Sequence, residues 1–229
     1  MMPQRKSKKI IFYFFLFFIV SSINNFELSS LKFEKIKHVN ISGLDYEENQ
    51  ILLNEIKSLN LENIFLLNKI ELKKIISGNT LIEKYNIFKI YPSTIVVKIQ
   101  KTDFLAKIKS NDKIYLVGSN GKLSNPDKSK MELPFIFGKP DIKEFLKFKN
   151  IIDESKISYN QIKNLYYFRS GRWDLELENN ILLKLPKDNI QVSLDNSFEF
   201  INYNNFLENK TIDIRVENQI IVNDRRNKS

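Results

Sequence analysis

The chain has no cysteine among its 229 residues, which excludes disulfide scaffolds, thiolate metal sites, cysteine nucleophiles and iron–sulfur clusters. That absence says little about compartment, because an oxidising environment permits disulfides without requiring them. There is one histidine, His38, so histidine triads and two-histidine metal sites are impossible within the chain. Glycine is sparse at six residues and builds no phosphate-cradling loop; Gly118 and Gly121 are isolated turn glycines. A single alanine, Ala106, stands beside 27 asparagines, and 30 lysines outnumber six arginines, the mark of an AT-rich genome. Disorder is excluded by composition, since 42% hydrophobic and 12% aromatic residues supply enough apolar surface for packed cores. Behind an N-terminal targeting segment, about 195 residues remain, enough for two small domains or one medium one.

The net charge of +9 suggests nucleic acid, and its distribution argues against that. Arg5, Lys6, Lys8 and Lys9 precede the apolar run, and Arg225, Arg226 and Lys228, less Asp224, close the chain. Removing these +4 and +2 from the total leaves +3 over residues 10–223. There the lysines alternate with acids and form no basic stripe with interleaved aromatics.

One long apolar run is present, Ile10 to Val20, extended by Ser21, Ser22 and Ile23. It is short of the ~20 residues of a full span unless it reaches Phe26 to Leu28. The basic residues before it place the N-terminus in the cytoplasm and the body across the membrane. A cleaved signal peptide fits the same pattern, with Val20 and Ser22 as a passable cleavage pair. Both readings export the body.

The exported part opens with a strand over Phe33 to Ile41, ended by Gly43. Asp45 with Glu48 makes an Asp-x-x-Glu helix cap before Ile51, Leu52, Ile56 and Leu59 at helical spacing. Asn68 with Glu71 repeats the cap for a second helix that stops at Gly78. Two strands follow, Leu81–Ile90 and Thr94–Gln100, around Tyr91-Pro92-Ser93; the order strand, helix, helix, strand, strand is a compact α+β unit. Beyond Asp103 short strands alternate with turns: Leu105–Lys109 and Lys113–Val117, then Ile162–Phe168, Trp173–Glu178 and Ile181–Leu185 as an antiparallel meander with an Asn179-Asn180 turn. Phe145 to Ile152 and the series Ile190, Leu194, Phe198 and Ile201 read as helices, and Thr211–Val216 and Gln219–Val222 close the chain as strands.

No active site emerges. Ser110-Asn111-Asp112-Lys113 matches a serine-x-x-lysine string but falls in a hairpin turn without companion motifs. Asp174 and Glu199 are the least ordinary carboxylates, yet capping and solvated faces account for such acids. Trp173 reads as a core anchor, and no metal or cofactor is expected.

Five blocks in order resemble the FtsQ/DivIB cell-division family of bacteria: Val39-Asn40-Ile41-Ser42-Gly43; Ile87 to Val97 with its Tyr91-Pro92; Leu133-Pro134 with Gly138; Arg172-Trp173-Asp174-Leu175 with Leu177; and Ile212-Asp213-Ile214-Arg215. The chain departs from the family pattern at Lys101, Phe104, Ile108 and Gly118, around the first hairpin after the α+β unit. The resemblance implies an α+β protein with a cytoplasmic tail over 1–9, a transmembrane helix over 10–28, a POTRA domain (β-α-α-β-β) over 31–101, a β-rich domain over 102–223 and a basic tail over 224–229. It favours an uncleaved anchor over a signal peptide. It also implies a non-enzymatic divisome scaffold in the inner membrane, single-pass, its body periplasmic and concentrated at the septum. The implied partners are FtsB and FtsL, with FtsK, FtsW and FtsI nearby. FtsB binding by strand addition maps onto Arg215, Val216, Asn218, Gln219, Ile220, Ile221 and Val222; a last strand is an edge whose unpaired backbone is a template. Ile220, Ile221 and Val222 carry no charge to protect that edge, and Ile221→Pro is expected to remove a donor from it. The rivals are an anchored or secreted wall hydrolase using carboxylates and a POTRA protein of outer-membrane secretion; the latter needs a barrel that the residues after Gln100 do not supply.

Overall fold

The computed structural model describes residues 8–22, 35–59, 61–65, 67–125, 131–205, 208–216 and 219–225. Helix α1 is Lys8–Ser22, and its apolar residues from Ile10 to Val20 are 46–70% exposed. The expected transmembrane helix over 10–28 is not found as such. Fifteen residues make a helix of about 22 Å, short of an ~30 Å hydrocarbon core. No helix among the described residues is long and apolar enough to cross a membrane. Residues 23–28, and the expected strand start at Phe33, lie outside the described residues.

The first body is a three-stranded sheet backed by two helices. Its elements are β1 (His38–Ser42), α2 (Tyr46–Lys57), α3 (Lys69–Gly78), β2 (Ile82–Ile90) and β3 (Thr94–Lys101), in sheet order β1-β3-β2. β1 lies parallel to β3, and β2 antiparallel to it. The predicted caps start both helices: the Asp45 N–H donates to Glu48 Oε2 at 3.2 Å, and Asn68 Oδ1 accepts from Ile70 N at 3.1 Å. Lys101, at the end of β3, reaches back to Asp45 (2.5 Å) and Glu48 (3.2 Å), tying the first cap to the sheet. The period of two in β3 puts Ile95, Val97 and Ile99 against Leu52, Ile56, Leu72 and Ile76 in one core. Gly43 ends β1 at φ +115° because a Cβ there would lie 1.8 Å from the Ile99 carbonyl oxygen.

The second body is a nine-stranded sheet. Its strands are β4 (Phe104–Ser110), β5 (Lys113–Gly118), β6 (Leu123–Ser124), β7 (Phe135–Phe137), β8 (Ile162–Tyr167), β9 (Trp173–Leu177), β10 (Leu182–Lys184), β11 (Lys210–Asp213) and β12 (Ile221–Asp224). The order is β12-β11-β10-β9-β8-β7-β4-β5-β6. Helices α4 (Ile142–Asp153) and α5 (Ile190–Tyr203) cover one face. There Phe145, Phe148, Ile152 and Leu194 bury against Ile108, Ile136, Leu165, Leu175 and Leu183. The indole of Trp173 stacks on Phe148 (4.6 Å, 8°), so it is the core anchor the sequence suggests. The first hairpin forms despite the departures around it, turning at Asn111 and Asp112, both at positive φ, with Ser110 opposite Lys113. The serine-x-x-lysine string is therefore a hairpin turn.

A polar clasp joins the two bodies. The Asn120 side chain donates to the Thr80 and Ile82 carbonyls (2.9 and 3.0 Å), and Glu83 accepts from Ser119 (2.8 Å) and Thr102 (3.2 Å).

Candidate functional site

The sheet ends at β12. It pairs with β11 in the register Lys210 opposite Asp224, Thr211 opposite Asn223, Ile212 opposite Val222 and Asp213 opposite Ile221. β12 has no strand on its other side among the described residues. Which of its backbone groups face outward follows from one bond: the Arg225 N–H donates to the Asn209 carbonyl at 2.8 Å. Antiparallel pairs alternate between bonded and non-bonded, so 209/225, 211/223 and 213/221 are the bonded pairs. The N–H and C=O groups of Val222 and Asp224 therefore point away from the sheet. Ile221 is turned inward, and a proline there would break the ladder with β11 rather than the free edge. The strand is also displaced toward the C-terminus: Asp224, assigned above to a basic tail, is its last residue.

The seven residues mapped from the family resemblance divide into three sets. Ile221 (48% exposed) and Val222 are in β12, Ile221 on the face without helices and Val222 on the face with them. Arg215, Val216, Gln219 and Ile220 are outside any strand and line a groove of about 570 Å³ with Asn189 and Val192 of the α5 start. Asn218 lies outside the described residues.

Two ion pairs shape this end. Arg215 grips Asp213 with two bonds, Nε to Oδ1 at 2.8 Å and a terminal nitrogen to Oδ2 at 2.5 Å. That bond holds the Asp213 carboxyl below its usual range and raises the guanidinium. The Ile212-Asp213-Ile214-Arg215 block thus locks the chain as it leaves β11. At the other end Lys210 pairs with Asp224 across β11 and β12, lowering the Asp224 carboxyl.

A third contact was missed by sequence reasoning. Arg225, just past β12, reaches over the face without helices to Glu176 on β9 (2.5 Å) and the Asn180 carbonyl (3.3 Å). Glu176 is 5% exposed and also accepts from Tyr166 Oη (2.6 Å) and Asn164 Nδ2 (2.9 Å). Burial pushes its carboxyl up, but the three donors outweigh burial and hold it below the ordinary range. Tyr166 is pushed up to about 12, by burial and then by the carboxylate it faces. The one available signal was the alternation Trp173-Asp174-Leu175-Glu176-Leu177, which puts two acids on one face of a strand; nothing local points to a partner 49 residues away.

Neighbouring Asp174 is 3% exposed and raised by burial, with Arg172 (3.2 Å) and the Leu185 N–H (3.2 Å) working against that rise. Asp174 and Glu176 are therefore engaged by the fold's own donors, and Glu199 pairs with Lys156 at the surface. His38 is exposed on β1 opposite Thr94. The Leu133-Pro134 and Gly138 block brackets β7; Gly138 sits at φ +102°, where a Cβ would meet the Tyr167 carbonyl oxygen at 2.3 Å.

Comparison with known proteins decides the family. Residues 34–101 match the model of the FtsQ-type POTRA domain, and residues 106–215 match that of the C-terminal region of the cell division protein FtsQ/DivIB. The chain belongs to the FtsQ/DivIB family. It is 24% identical over 192 residues to the cell division protein FtsQ of Rickettsia bellii, covering 82% of this chain and 72% of that one. For FtsQ of Rickettsia typhi the values are 23% over 205 residues, 87% and 76%. The solved extracytoplasmic domain of DivIB from Geobacillus stearothermophilus aligns with 44% of this chain and 91% of its own at 12% identity and a TM-score of 0.34, too slight a likeness to carry the fold. The two matches place a POTRA unit before the C-terminal FtsQ/DivIB region, and the second ends at residue 215, before β12.

Proposed function

We propose that this FtsQ-family chain is a non-enzymatic scaffold of the divisome. Its apolar N-terminal segment anchors it in the inner membrane, and it binds FtsB by strand addition to β12, with FtsL in the same assembly. FtsK, FtsW and FtsI stand nearby as further divisome partners. The observation that carries the reading is the free edge: outward backbone groups at Val222 and Asp224, flanked by the groove at Arg215, Val216, Gln219 and Ile220. A partner strand gains main-chain bonds from that edge and side-chain selectivity from the groove. The anchor is supported by the outward-facing apolar residues of α1, which the described body does not bury. A carboxylate hydrolase is disfavoured, because the buried acids are held by the fold's own donors.

Asp224→Pro deletes one outward N–H while leaving the bonded pairs with β11 in place, and is expected to abolish co-purification with FtsB. Asp224→Asn removes the charge and keeps the N–H, and is expected to retain it. Equal binding by both variants would move the site elsewhere. A fluorescent fusion at the N-terminus is expected at midcell; a uniform envelope signal would count against the divisome assignment, and released fluorescence against the anchor.

A further inference from the structure

The POTRA unit leaves four large apolar side chains half-exposed at one end: Phe65 (56%), Phe88 (47%), Ile90 (53%) and Tyr91 (58%). Phe65 and Tyr91 touch, with ring centroids 5.1 Å apart. Phe88 and Ile90 lie on the sheet face away from the helices, opposite Val96 and Thr94.

The topology fixes which end this is. β1 and β3 are parallel and start together, His38 opposite Thr94, so the turn before β3 lies where the chain enters the unit. The Lys37 N–H donates to the Ser93 carbonyl (2.9 Å), and Lys35 bridges to Asn63, two residues before Phe65. Only residues 23–34 separate the end of α1 from Lys35, a tether of at most about 40 Å when fully extended. The exit at Lys101 is at the other end of β3 and leads to the larger sheet. The apolar end is therefore the end at which the chain enters the unit.

Its charge is one-sided. The described segments 35–38, 61–65 and 88–96 that form this end contain Lys35, Lys37 and Lys89 against Glu62, and the Lys89 ammonium donates to the Ile64 carbonyl within the fold. Aromatic and branched side chains ringed by lysine are what the interfacial layer of an anionic bilayer accommodates: rings at the headgroup level, ammonium groups among phosphates.

We propose that this end of the POTRA unit lies on the membrane surface, with Phe65, Phe88, Ile90 and Tyr91 at the headgroup–acyl boundary and Lys35 and Lys37 beside anionic headgroups. The contact rests on the anchored reading above and orients the scaffold, directing the larger sheet and its β12 edge away from the bilayer.

The absence of cysteine gives a clean test, because one introduced thiol is the only one to label. The full chain carrying Tyr91→Cys is labelled with an environment-sensitive fluorophore and reconstituted in phosphatidylethanolamine–phosphatidylglycerol vesicles. Asp112→Cys, in the β4–β5 turn, is the comparison. Brominated lipid is expected to quench the label at 91 at least about twofold more than at 112. Lys35→Glu with Lys37→Glu, or phosphatidylcholine in place of the anionic mixture, is expected to lower the quenching at 91. Equal quenching at 91 and 112 overturns the proposal, and so does quenching indifferent to lipid charge. Shielding from aqueous iodide that grows with protein density, without quenching by brominated lipid, would give the patch to a second copy of the chain. A chain that fails to float with the vesicles refutes the anchor itself; one that floats with the label at 91 unquenched refutes only the surface contact.

Discussion

Arg225→Ala tests how the terminal edge is held. Among the described residues the guanidinium is the one charged partner of Glu176, which is 5% exposed. An exposed ion pair contributes at most about 1 kcal/mol, whereas breaking a fully buried pair costs about 3–5 kcal/mol. This pair lies between those limits, since the Arg225 side chain is 31% exposed and Glu176 keeps its bonds from Tyr166 and Asn164. Loss of a charge-assisted bond on that scale is about 1–3 kcal/mol. The assay is urea unfolding followed by tryptophan fluorescence. Trp173 is the only tryptophan and sits on β9, three residues before Glu176, so the signal reports the larger sheet alone. Amide exchange at Ile221 and Asn223 should accelerate with the loss, because Arg225 pins the strand's end. Arg225→Ala placed on Glu176→Gln should cost much less than on the wild type. A loss under about 0.5 kcal/mol with unchanged exchange at β12 would refute the argument that this contact secures the edge.

Gly43→Ala places a Cβ 1.8 Å from the Ile99 carbonyl oxygen at φ +115°, and is expected to cost about 3 kcal/mol or more. Exchange should rise across Ile95–Ile99 while the Trp173 transition stays in place. Asn120→Ala removes both bonds to the Thr80 and Ile82 carbonyls, about 1–2 kcal/mol of the clasp, and should speed exchange over residues 80–83 without unfolding either sheet. Acid is expected to weaken the larger sheet. The Glu176 carboxyl is depressed in the fold, so its contribution is full above the ordinary value of 4.5 and disappears as pH falls through the lower folded value. Asp174 is raised and works in the opposite sense, gaining as it protonates, while Asp213 and Asp224 are depressed like Glu176, so Glu176→Gln should reduce the acid-side slope of the urea-midpoint profile without abolishing it.

The elements that local chemistry specifies were legible in the sequence. Asp45 and Asn68 mark helix starts because a side-chain oxygen there meets free backbone N–H groups, and the alternation of Ile95, Val97 and Ile99 marks a buried strand face because strand side chains alternate. Strand ends were less legible. Thr211–Val216 shortens to Lys210–Asp213, because the Arg215–Asp213 pair turns the chain out of the sheet, an event set by a side-chain bond rather than by hydrophobic pattern. The start of α4 at Ile142 was missed because Lys139-Pro140 hid the Asp141 cap, whose carboxylate accepts from Lys143 N at 2.7 Å. At the edge itself, residue content was readable and direction was not: which N–H groups face outward depends on register, and register depends on pairing with a strand across a connection. The Arg225–Glu176 strap spans β9 to the residue after β12 and has no local signature at all.

Strand addition has a residue-level signature in amide exchange. On binding FtsB, the N–H groups of Val222 and Asp224, which face outward in the free chain, should become strongly protected, while those of Ile221 and Asn223, already bonded to β11, should change little. Nuclear magnetic resonance of the labelled chain, with and without FtsB, resolves these four amides separately. Alternating protection at 222 and 224 is the predicted result. Tight binding that leaves both amides exchanging at their free rates would contradict strand addition at β12.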